Sequence, residues 1–371
     1  MKTSLKIGTI KGIPVKLHIT LLIAIGIIGW SVGYSVYQIA ELIGVDPSGI
    51  SPGLESYVLG FAIAVGLFIS VFVHELAHSF VGLKMGIEIK EISLWIFGGV
   101  SDMEEIPRDP NSEIKLSIVG PLTSLVIGIG SYVLSMFLWG PVIVFFFAYL
   151  GFINVFLFGF NMIPAFPMDG GRILRATFAK RVSYAKATKR AANIGKVVAV
   201  IFAIIGLFYN IFLLLIAFFV YIGASQESQS VMVRETLEKV KVEDIMTTDV
   251  KTLDPDERAS KVLEKFLKTH HHGFPVVKNE RVLGIVTLED IKRLSDKDMD
   301  VVKISEIMEK DLICFEPEDD VSEVWNAMMK NNVGRFPVIS DGELKGILTR
   351  SDLMRTYEAL QELDRFRGED I

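Results

Sequence analysis

The sequence predicts a multi-pass α-helical membrane domain followed by a soluble α/β domain. Half of the 371 residues are hydrophobic, and the mean hydropathy is +0.43. Charge is unevenly spread, because residues 1–224 carry 16 basic and 12 acidic side chains whereas residues 225–371 carry 22 and 32. Long apolar runs occur only in the first part, and a membrane span needs about 20 mostly apolar residues. One uniform soluble domain is therefore excluded.

Six apolar stretches in the first part are candidate membrane spans. They cover residues 19–40, 57–82, 113–139, 142–163, 193–209 and 211–224. The last two are short and meet at a turn near residue 210. About six spans are therefore expected.

The distribution of basic residues predicts the orientation of these spans. The segments 1–18, 83–112 and 170–192 together hold 14 basic residues, whereas the loop 41–56 holds none. By the positive-inside rule, the first three lie in the cytosol. After six spans the chain returns to the cytosol, which is where a charged tail belongs. The protein is thus expected in the cell membrane, within the lipid bilayer, with its N-terminus and tail cytosolic.

The pattern of residues 86–103 predicts neither a membrane span nor an ordinary polar loop. Isoleucine and leucine alternate partially with polar residues, and Gly98 and Gly99 follow. This pattern predicts a strand and a tight bend that form a small β element at the membrane surface. An amphipathic connector is the alternative.

The second span contains three ionisable residues in the run VHELAH, residues 73–78. Such groups are costly in a membrane and are usually functional or paired. His74 and His78 are one helical turn apart, so both can bind one zinc ion, with Glu75 beside them to take a proton from bound water. The alternative is a hydrogen-bonded histidine pair. Cys314 is the single cysteine, which excludes a disulfide framework and a multi-cysteine metal cluster.

A third ligand is expected from residues 161–171, NMIPAFPMDGG, at the end of the fourth span. A catalytic zinc site usually has three protein ligands and an open position for water. Pro164 and Pro167 cannot continue a helix, so Asp169 is predicted on irregular backbone that lines a cavity. The second and fourth spans run in the same direction, which brings Asp169 to the cytosolic side where the histidines lie. A helix cap is the alternative role for this residue.

These two motifs, together with GIPVKLH at residues 12–18, resemble the site-2 protease family of intramembrane zinc metalloproteases. The resemblance implies a metalloendopeptidase that hydrolyses a peptide bond in or near the transmembrane segment of a single-span membrane protein. It implies one zinc ion bound by His74, His78 and Asp169, with Glu75 as general base and acid. Asn161 would position the substrate carbonyl or stabilise the oxyanion.

The β element suggests how such a protease holds its substrate. A substrate helix must unwind locally before its carbonyl can reach a metal. The segment at Gly98 and Gly99 could pair with the unwound backbone by strand addition, which makes these two glycines candidate substrate-binding residues.

The soluble part is an internal repeat with an offset of 62 residues. FPV at 274–276 recurs at 336–338, and the GI dipeptide near residue 284 recurs at the same offset. Two copies of a βαββα unit are predicted, with helices over 258–269 and 320–331 and a turn between the two strands of each copy.

The two copies resemble a pair of cystathionine-β-synthase (CBS) domains, a family that often binds adenine nucleotides and dimerises. Thr287 with Asp290, and Thr349 with Asp352, occupy positions where family members contact ribose and phosphate. ATP, ADP or AMP is therefore an expected ligand, and a homodimer through the CBS domains is an expected assembly. The same pairs also form helix N-caps without any ligand.

Charge limits the partners of the soluble part. Its acidic balance disfavours polyanions at long range, so a nucleotide would depend on local amides and on Arg335, Arg350 or Lys303. The absence of basic and aromatic interleaving argues against nucleic-acid binding.

The sequence thus predicts five segments and leaves one alternative function. The segments are a protease domain over 1–224, a linker over 225–241, CBS domains over 242–299 and 304–361, and a charged C-terminal tail over 362–371. The alternative is a CBS-regulated ion transporter in which the histidines, Glu75 and Asp169 line a cation path. A transporter would typically repeat its spans, and no such repeat is evident in the sequence.

Overall fold

The structure is a computed structural model that describes residues 4–96, 98–103, 108–238, 240–269, 271–295 and 298–367. The chain divides into two compact units between Ser228 and Gln229. The first unit is a helical bundle with a four-stranded sheet, and the second is a tandem α/β module. The predicted fold class is confirmed.

The first unit contains eight helices and four strands among the described residues. The helices are α1 Thr20–Tyr34, α2 Val36–Ile43, α3 Leu54–Lys84, α4 Pro110–Ser135, α5 Pro141–Asn161, α6 Asp169–Ala179, α7 Tyr184–Tyr209 and α8 Ile211–Leu237. The strands are β1 Ser4–Ile10, β2 Ile13–His18, β3 Ile89–Trp95 and β4 Gly98–Met103. Of these helices, α8 continues into the second unit.

Five of the described helices, α3, α4, α5, α7 and α8, are long and apolar enough to cross a membrane. The pair α1 and α2 adds a sixth span if it is counted as one. Many large apolar side chains on these helices are exposed in the isolated chain, as expected where lipid replaces water.

The first predicted span is not straight. The sequence indicated one helix over 19–40, but the chain breaks at Ser35 and turns by 73° into α2. The turn allows α2 to bury Val36 and Ala40 completely in a cluster that includes Ile63 of α3 and Phe145 of α5. Tertiary packing across three helices therefore overrides the continuous apolar pattern.

The last two spans are longer than the sequence suggested. They were expected over 193–209 and 211–224, whereas α7 begins at Tyr184 and α8 ends at Leu237. The expected turn is confirmed, since Asn210 alone separates them in extended conformation. The added turns are more polar than the spans, which is why hydropathy missed them. Most of the segment predicted as a linker, 225–241, is therefore helical.

The four strands form one sheet in the order β1-β2-β3-β4. Strands β3 and β4 are the predicted surface element, and they pair antiparallel. The hairpin of β1 and β2 was not predicted, although Leu5, Ile7, Ile13 and Val15 alternate there with small or polar residues. Parallel pairing joins β2 to β3. Among the described strands, β4 lies at an open edge of this sheet.

The second unit repeats one arrangement at the predicted offset. The first copy consists of α9 Val242–Ile245, α10 Ala259–Thr269, β5 Gly273–Lys278, β6 Arg281–Thr287 and α11 Leu288–Lys292. The second consists of α12 Ile304–Ile307, α13 Val321–Asn331, β7 Arg335–Ser340, β8 Glu343–Thr349 and α14 Arg350–Arg367. The strands of both copies join into one sheet in the order β5-β6-β8-β7.

The second unit buries two apolar cores, and each core takes a short helix from the other copy. Val242 of α9 lies in the core of the second copy, and Ile304 of α12 lies in the core of the first. Phe266, Phe274 and Ile291 belong to the core of the first copy. Phe336 and Leu353 belong to the core of the second. The predicted turn of each hairpin has backbone in the left-handed region, which suits the tight connections of antiparallel strands.

Candidate metal centre and nucleotide cavity

Three side chains from two distant parts of the sequence meet inside the first unit. His74 and His78 lie on α3 and are buried, and their Nε2 atoms are 3.1 Å apart. Each Nε2 lies 3.3 Å from Oδ2 of Asp169. All three ligand atoms fall within 4.8 Å of one another. Two imidazole nitrogens and one carboxylate oxygen are a donor set typical of a catalytic zinc site.

The other nitrogen of each imidazole is already engaged by α4. Nδ1 of His78 lies 2.7 Å from the carbonyl oxygen of Leu116, and Nδ1 of His74 lies 2.9 Å from Oγ of Ser124. A carbonyl only accepts, so His78 donates through Nδ1 and its Nε2 carries the lone pair toward Asp169. Partners of this kind orient histidine ligands of metals. Neither Leu116 nor Ser124 could be identified from the sequence, because both lie far from the histidines along the chain.

Gly120 of α4 lies directly beside the Nε2 atoms of the two histidines. No motif in the sequence points to this residue. A Cβ at this position would lie 2.1 Å from Nε2 of His78 and 2.6 Å from Nε2 of His74. Contacts this short do not occur, so any side chain here would displace the imidazoles. The open space where the three donors converge therefore depends on this glycine, and it fits a metal ion.

Asp169 is the first residue of α6 rather than part of an irregular loop. The irregular backbone precedes it, over residues 162–168, and contains both predicted prolines. The Phe166-Pro167 bond is cis. The carboxylate of Asp169 lies at the N-terminus of α6, where the unpaired backbone N–H groups favour negative charge. Asp169 is thus the first helical residue and faces the histidines, whereas the predicted alternative role as a helix cap is not observed, because the N-cap is Met168 and no side chain caps this helix.

Glu75 lies on the same helix as the two histidines, and its side chain contacts strand β4. Oγ of Ser101 donates to Oε2 of Glu75 over 2.9 Å. Gly99 faces the same side chain, because a Cβ there would lie 2.5 Å from Cγ of Glu75. Residues 74–78, HELAH, form a His-Glu-x-x-His (HEXXH) motif. The carboxylate of this motif is therefore held against the predicted β element.

Gly98 and Gly99 do not form the bend that the sequence indicated. They are the first two residues of β4 and pair with Trp95 and Leu94 of β3. The physical reason is that Gly99 allows the close approach of β4 to Glu75, where a Cβ would collide with the glutamate side chain. The free edge of β4 lies next to the proposed general base.

Asn161 is the last residue of α5, and its side chain points back along its own helix. Its Nδ2 donates to the carbonyl oxygen of Leu157 over 2.9 Å. The described contacts therefore do not join Asn161 to the histidines. A different asparagine, Asn154, is fully buried and donates to Oγ of Ser70 on α3 over 3.1 Å.

The second unit contains a cavity of about 590 Å³ between its two copies. Thr287 and Leu288 contribute to its wall from the first copy, and Arg335 and Phe336 from the second. Burial lowers the pKa of the Arg335 guanidinium. Within the described part of the chain its side chain makes no ion pair, so a cation is available to an anionic ligand.

The predicted Thr and Asp pairs cap helices in both copies. Oδ2 of Asp290 accepts from Oγ1 of Thr287 over 2.7 Å, and Oδ2 of Asp352 accepts from Oγ1 of Thr349 over 2.6 Å. The backbone N–H of each threonine donates to the same carboxylate. Capping accounts for both pairs without a ligand.

Two family models match the chain. The model of Peptidase family M50 matches residues 62–144 and 139–206. The model of the CBS domain matches residues 242–297 and 304–359. His74, His78 and Asp169 thus fall within the first matched family, and most of each repeat of the second unit falls within the second.

Similar proteins cover nearly the whole chain. Zinc metalloprotease MJ0392 of Methanocaldococcus jannaschii is 36% identical over 363 residues, which make up 97% of this chain and 98% of that protein. The solved Site-2 Protease from the same organism covers 61% of this chain and 95% of its own at 40% identity, with a TM-score of 0.44. Inosine-5'-monophosphate dehydrogenase of that organism is 31% identical over 117 residues, 31% of this chain and 23% of that enzyme. The full-length similarity to a zinc metalloprotease does not favour the transporter alternative.

Proposed function

Because this chain belongs to peptidase family M50 as a zinc metalloprotease with tandem CBS domains, we propose that it is an intramembrane endopeptidase. Its substrate is a single-span membrane protein, cut in or near the transmembrane segment. The observation that carries the proposal is the convergence of His74, His78 and Asp169 on helices of an apolar bundle.

His74, His78 and Asp169 would hold one zinc ion through two Nε2 atoms and one carboxylate oxygen. Zinc held there supplies a water of lowered pKa and a polarised scissile carbonyl. The donor set supports this assignment, as do the engaged Nδ1 atoms and the space left by Gly120.

Glu75 acts as general base and then as general acid. It accepts the proton of the attacking water and returns it to the leaving amide nitrogen. Oγ of Ser101 donates to Oε2 of Glu75, and Oε1 would carry out this proton transfer. Asn161 supplies an amide donor to the oxyanion, for which its side chain must rotate away from Leu157.

The substrate binds as an added strand on β4. Its main chain would pair with the open edge of the sheet beside Gly98 and Gly99, next to Glu75. This arrangement keeps the scissile bond extended, since a helical carbonyl is shielded by its own hydrogen bond. The charge distribution of the sequence supports a cytosolic position for this sheet and for the CBS domains.

Adenine nucleotide binding to the CBS pair modulates cleavage. Three features support a nucleotide site in the cavity between the two copies: its size, Thr287 in its wall, and Arg335, whose side chain forms no ion pair with any residue that the structure describes. ATP, ADP and AMP share the phosphate that Arg335 would bind. Dimerisation through the CBS domains would bring two such cavities into one assembly.

The protease proposal is tested with purified full-length protein in detergent and a single-span substrate. Cleavage should stop on chelation and return with zinc, and Glu75→Gln should be inactive while still binding zinc. A control variant, Glu41→Gln, removes a carboxylate far from the motif in sequence and should cleave normally. Retained cleavage in Glu75→Gln would remove this residue from the mechanism.

The nucleotide proposal has a separate test. Arg335→Gln should weaken ATP binding by about tenfold or more, because a charge-assisted hydrogen bond to phosphate is lost. Lys268→Gln, at an exposed position of α10, is the matched control and should bind ATP normally. Equal affinity in the two variants would contradict an ATP site at Arg335.

A further inference from the structure

A buried arginine lies on the same short helix as Asp169. Arg175 is 1% exposed. Its Nε donates to Oε1 of Glu113 on α4 over 2.8 Å, and its Nη1 donates to Oε1 of Glu227 on α8 over 2.5 Å. One guanidinium therefore ties α6 to two long helices. It does so six residues after Asp169, which is roughly 9 Å along the helix.

Burying the ion network of Arg175, Glu113 and Glu227 is costly, and the hydrogen bonds from the guanidinium to both carboxylates offset part of this cost. Glu113 is fully buried, and its Oε2 accepts no hydrogen bond from any residue that the structure describes. Removing one partner of such a network would leave an uncompensated charge in a low-dielectric region. The guanidinium also lies 5.1 Å from the ring centroid of Phe166, in the loop that leads to Asp169. The network thus fixes both the helix and the loop that carry the carboxylate.

Helix α8 also packs directly on that loop. A Cβ at Gly223 would lie 2.8 Å from Cδ of Pro167. Ala224 shares a buried apolar cluster with Phe166. Glu227 follows Gly223 by one helical turn, on the same face. Gly223 and Ala224 of α8 therefore pack on the loop before Asp169. Glu227 of α8 bonds to Arg175 on the helix that follows it.

The same helix takes part in the core of the second unit. Val233 and Leu237 are completely buried there, in the cluster of the second CBS copy that includes Phe336. Phe336 and Arg335 contribute to the nucleotide cavity. Glu227 and Val233 are six residues apart in the sequence of α8.

We propose that α8 couples the CBS domains to Asp169, with the Glu113, Arg175 and Glu227 network as the connection. Arg175 is a positioning residue, because it sets where α6 holds the carboxylate without touching the substrate. A shift of α8 on nucleotide binding would move Glu227 and Pro167 together and so change the geometry of the metal site. This inference rests on the proposed function, since that proposal assigns zinc to Asp169 and nucleotide to the CBS pair.

The first test needs no nucleotide and no substrate. Full-length, zinc-loaded protein is mixed with excess chelator, and the rate of zinc release is followed. Glu227→Gln keeps the size of the side chain but removes its charge, and it should release zinc about threefold to tenfold faster. Gln226→Ala, on the neighbouring exposed position of α8, should match the wild type. Because the side chain of Glu227 is 37% exposed, its neutral variant should fold.

The second test weakens the helix between the two contacts. The double variant Gln229→Gly and Ser230→Gly introduces two poor helix formers, whereas alanine at both positions preserves the helix. ATP should change the rate of zinc release in the wild type and in the alanine pair. The glycine pair should still bind ATP and zinc but lose the ATP effect.

The outcomes separate this inference from the protease proposal. Equal zinc release in Glu227→Gln and wild type, or an ATP effect that persists in the glycine pair, would overturn the coupling. Absence of zinc from the wild type would overturn both proposals. Faster release in Glu227→Gln from a chain that cleaves no substrate would support the coupling and contradict the protease assignment alone.

Discussion

At the scale of single residues, the metal centre is shaped by side chains that do not bind the metal. Ser124 and the carbonyl of Leu116 occupy the outer nitrogens of the two histidines, which turns both inner nitrogens toward Asp169. Gly120 keeps the space between them open. All three belong to α4, a helix whose sequence carries no metal-binding motif. Substitution of Ser124 or Gly120 should therefore change the orientation of the imidazoles or close the space between them.

Replacing Ser124 with alanine should weaken zinc binding by about tenfold, because His74 loses the partner that fixes its ring. Ser135→Ala, near the other end of α4, is the control, since its hydroxyl donates to the carbonyl oxygen of Tyr132 in the same helix. Competition with a chromogenic chelator measures both affinities. Unchanged zinc affinity in Ser124→Ala would show that the ring is held by other contacts.

Replacing Gly120 with alanine should abolish zinc binding and cleavage, because its Cβ would collide with Nε2 of both histidines. Gly130→Ala is a matched control on the same helix, with nothing within 4 Å of the added Cβ. Zinc content by elemental analysis distinguishes the two. Normal zinc content in Gly120→Ala would mean that the histidines can move aside at little cost.

At the scale of helices and strands, polar contacts within the bundle hold the site-bearing helix in register. Asn154 of α5 is fully buried and donates both to Ser70 of α3 and to the carbonyl of Leu150. Ser70 is one turn before His74. The contact between α3 and α5 therefore fixes the helix that carries both histidines.

Asn154→Ala should lower the free energy of unfolding by about 1–3 kcal/mol, because it removes an interhelical hydrogen bond and leaves a cavity. Ile143→Ala, at a half-exposed position of α5, should cost much less. Thermal unfolding in detergent measures both. Equal melting temperatures for the two variants would show that the bond to Ser70 contributes no stability.

At the scale of the whole molecule, each unit has its own core, and an ion cluster joins the two CBS copies within the second unit. Oδ1 of Asp256 in the first copy accepts from Nζ of Lys303, where the second copy begins, over 2.9 Å. Its Oδ2 accepts from Nζ of Lys278 over 3.0 Å. The two ammonium groups lower the pKa of Asp256 to about 2.

This depressed pKa predicts acid sensitivity. The carboxylate contributes stability above the unfolded pKa of about 3.9, and that contribution is lost as the pH falls toward 2. Asp256→Asn should therefore have a lower melting temperature than wild type at pH 6, and the difference should shrink between pH 4 and pH 2. Asp341→Asn, at an exposed turn, is the control and should show no such trend. A difference independent of pH would exclude the ion cluster as its cause.

Much of the architecture could be predicted because it is local in the sequence. Apolar runs, the HEXXH spacing and the 62-residue offset each lie within one segment or compare two segments directly. The bend at Ser35 and the N-terminal hairpin could not be predicted in this way. Both depend on packing against residues far along the chain, such as Phe145 for the bend and Ile92 for β2.

The sequence alone determined the chemistry that this protein has available: two histidines one turn apart beside a glutamate, a distant aspartate after two prolines, and a duplicated soluble module. Only the tertiary structure decided how these groups are arranged. It placed α4 behind both imidazoles and β4 against Glu75, and it placed Glu227 on the arginine that fixes the helix of Asp169. The physical reason is that residue type and spacing act within a helix turn, whereas orientation depends on side chains that folding brings from elsewhere in the chain.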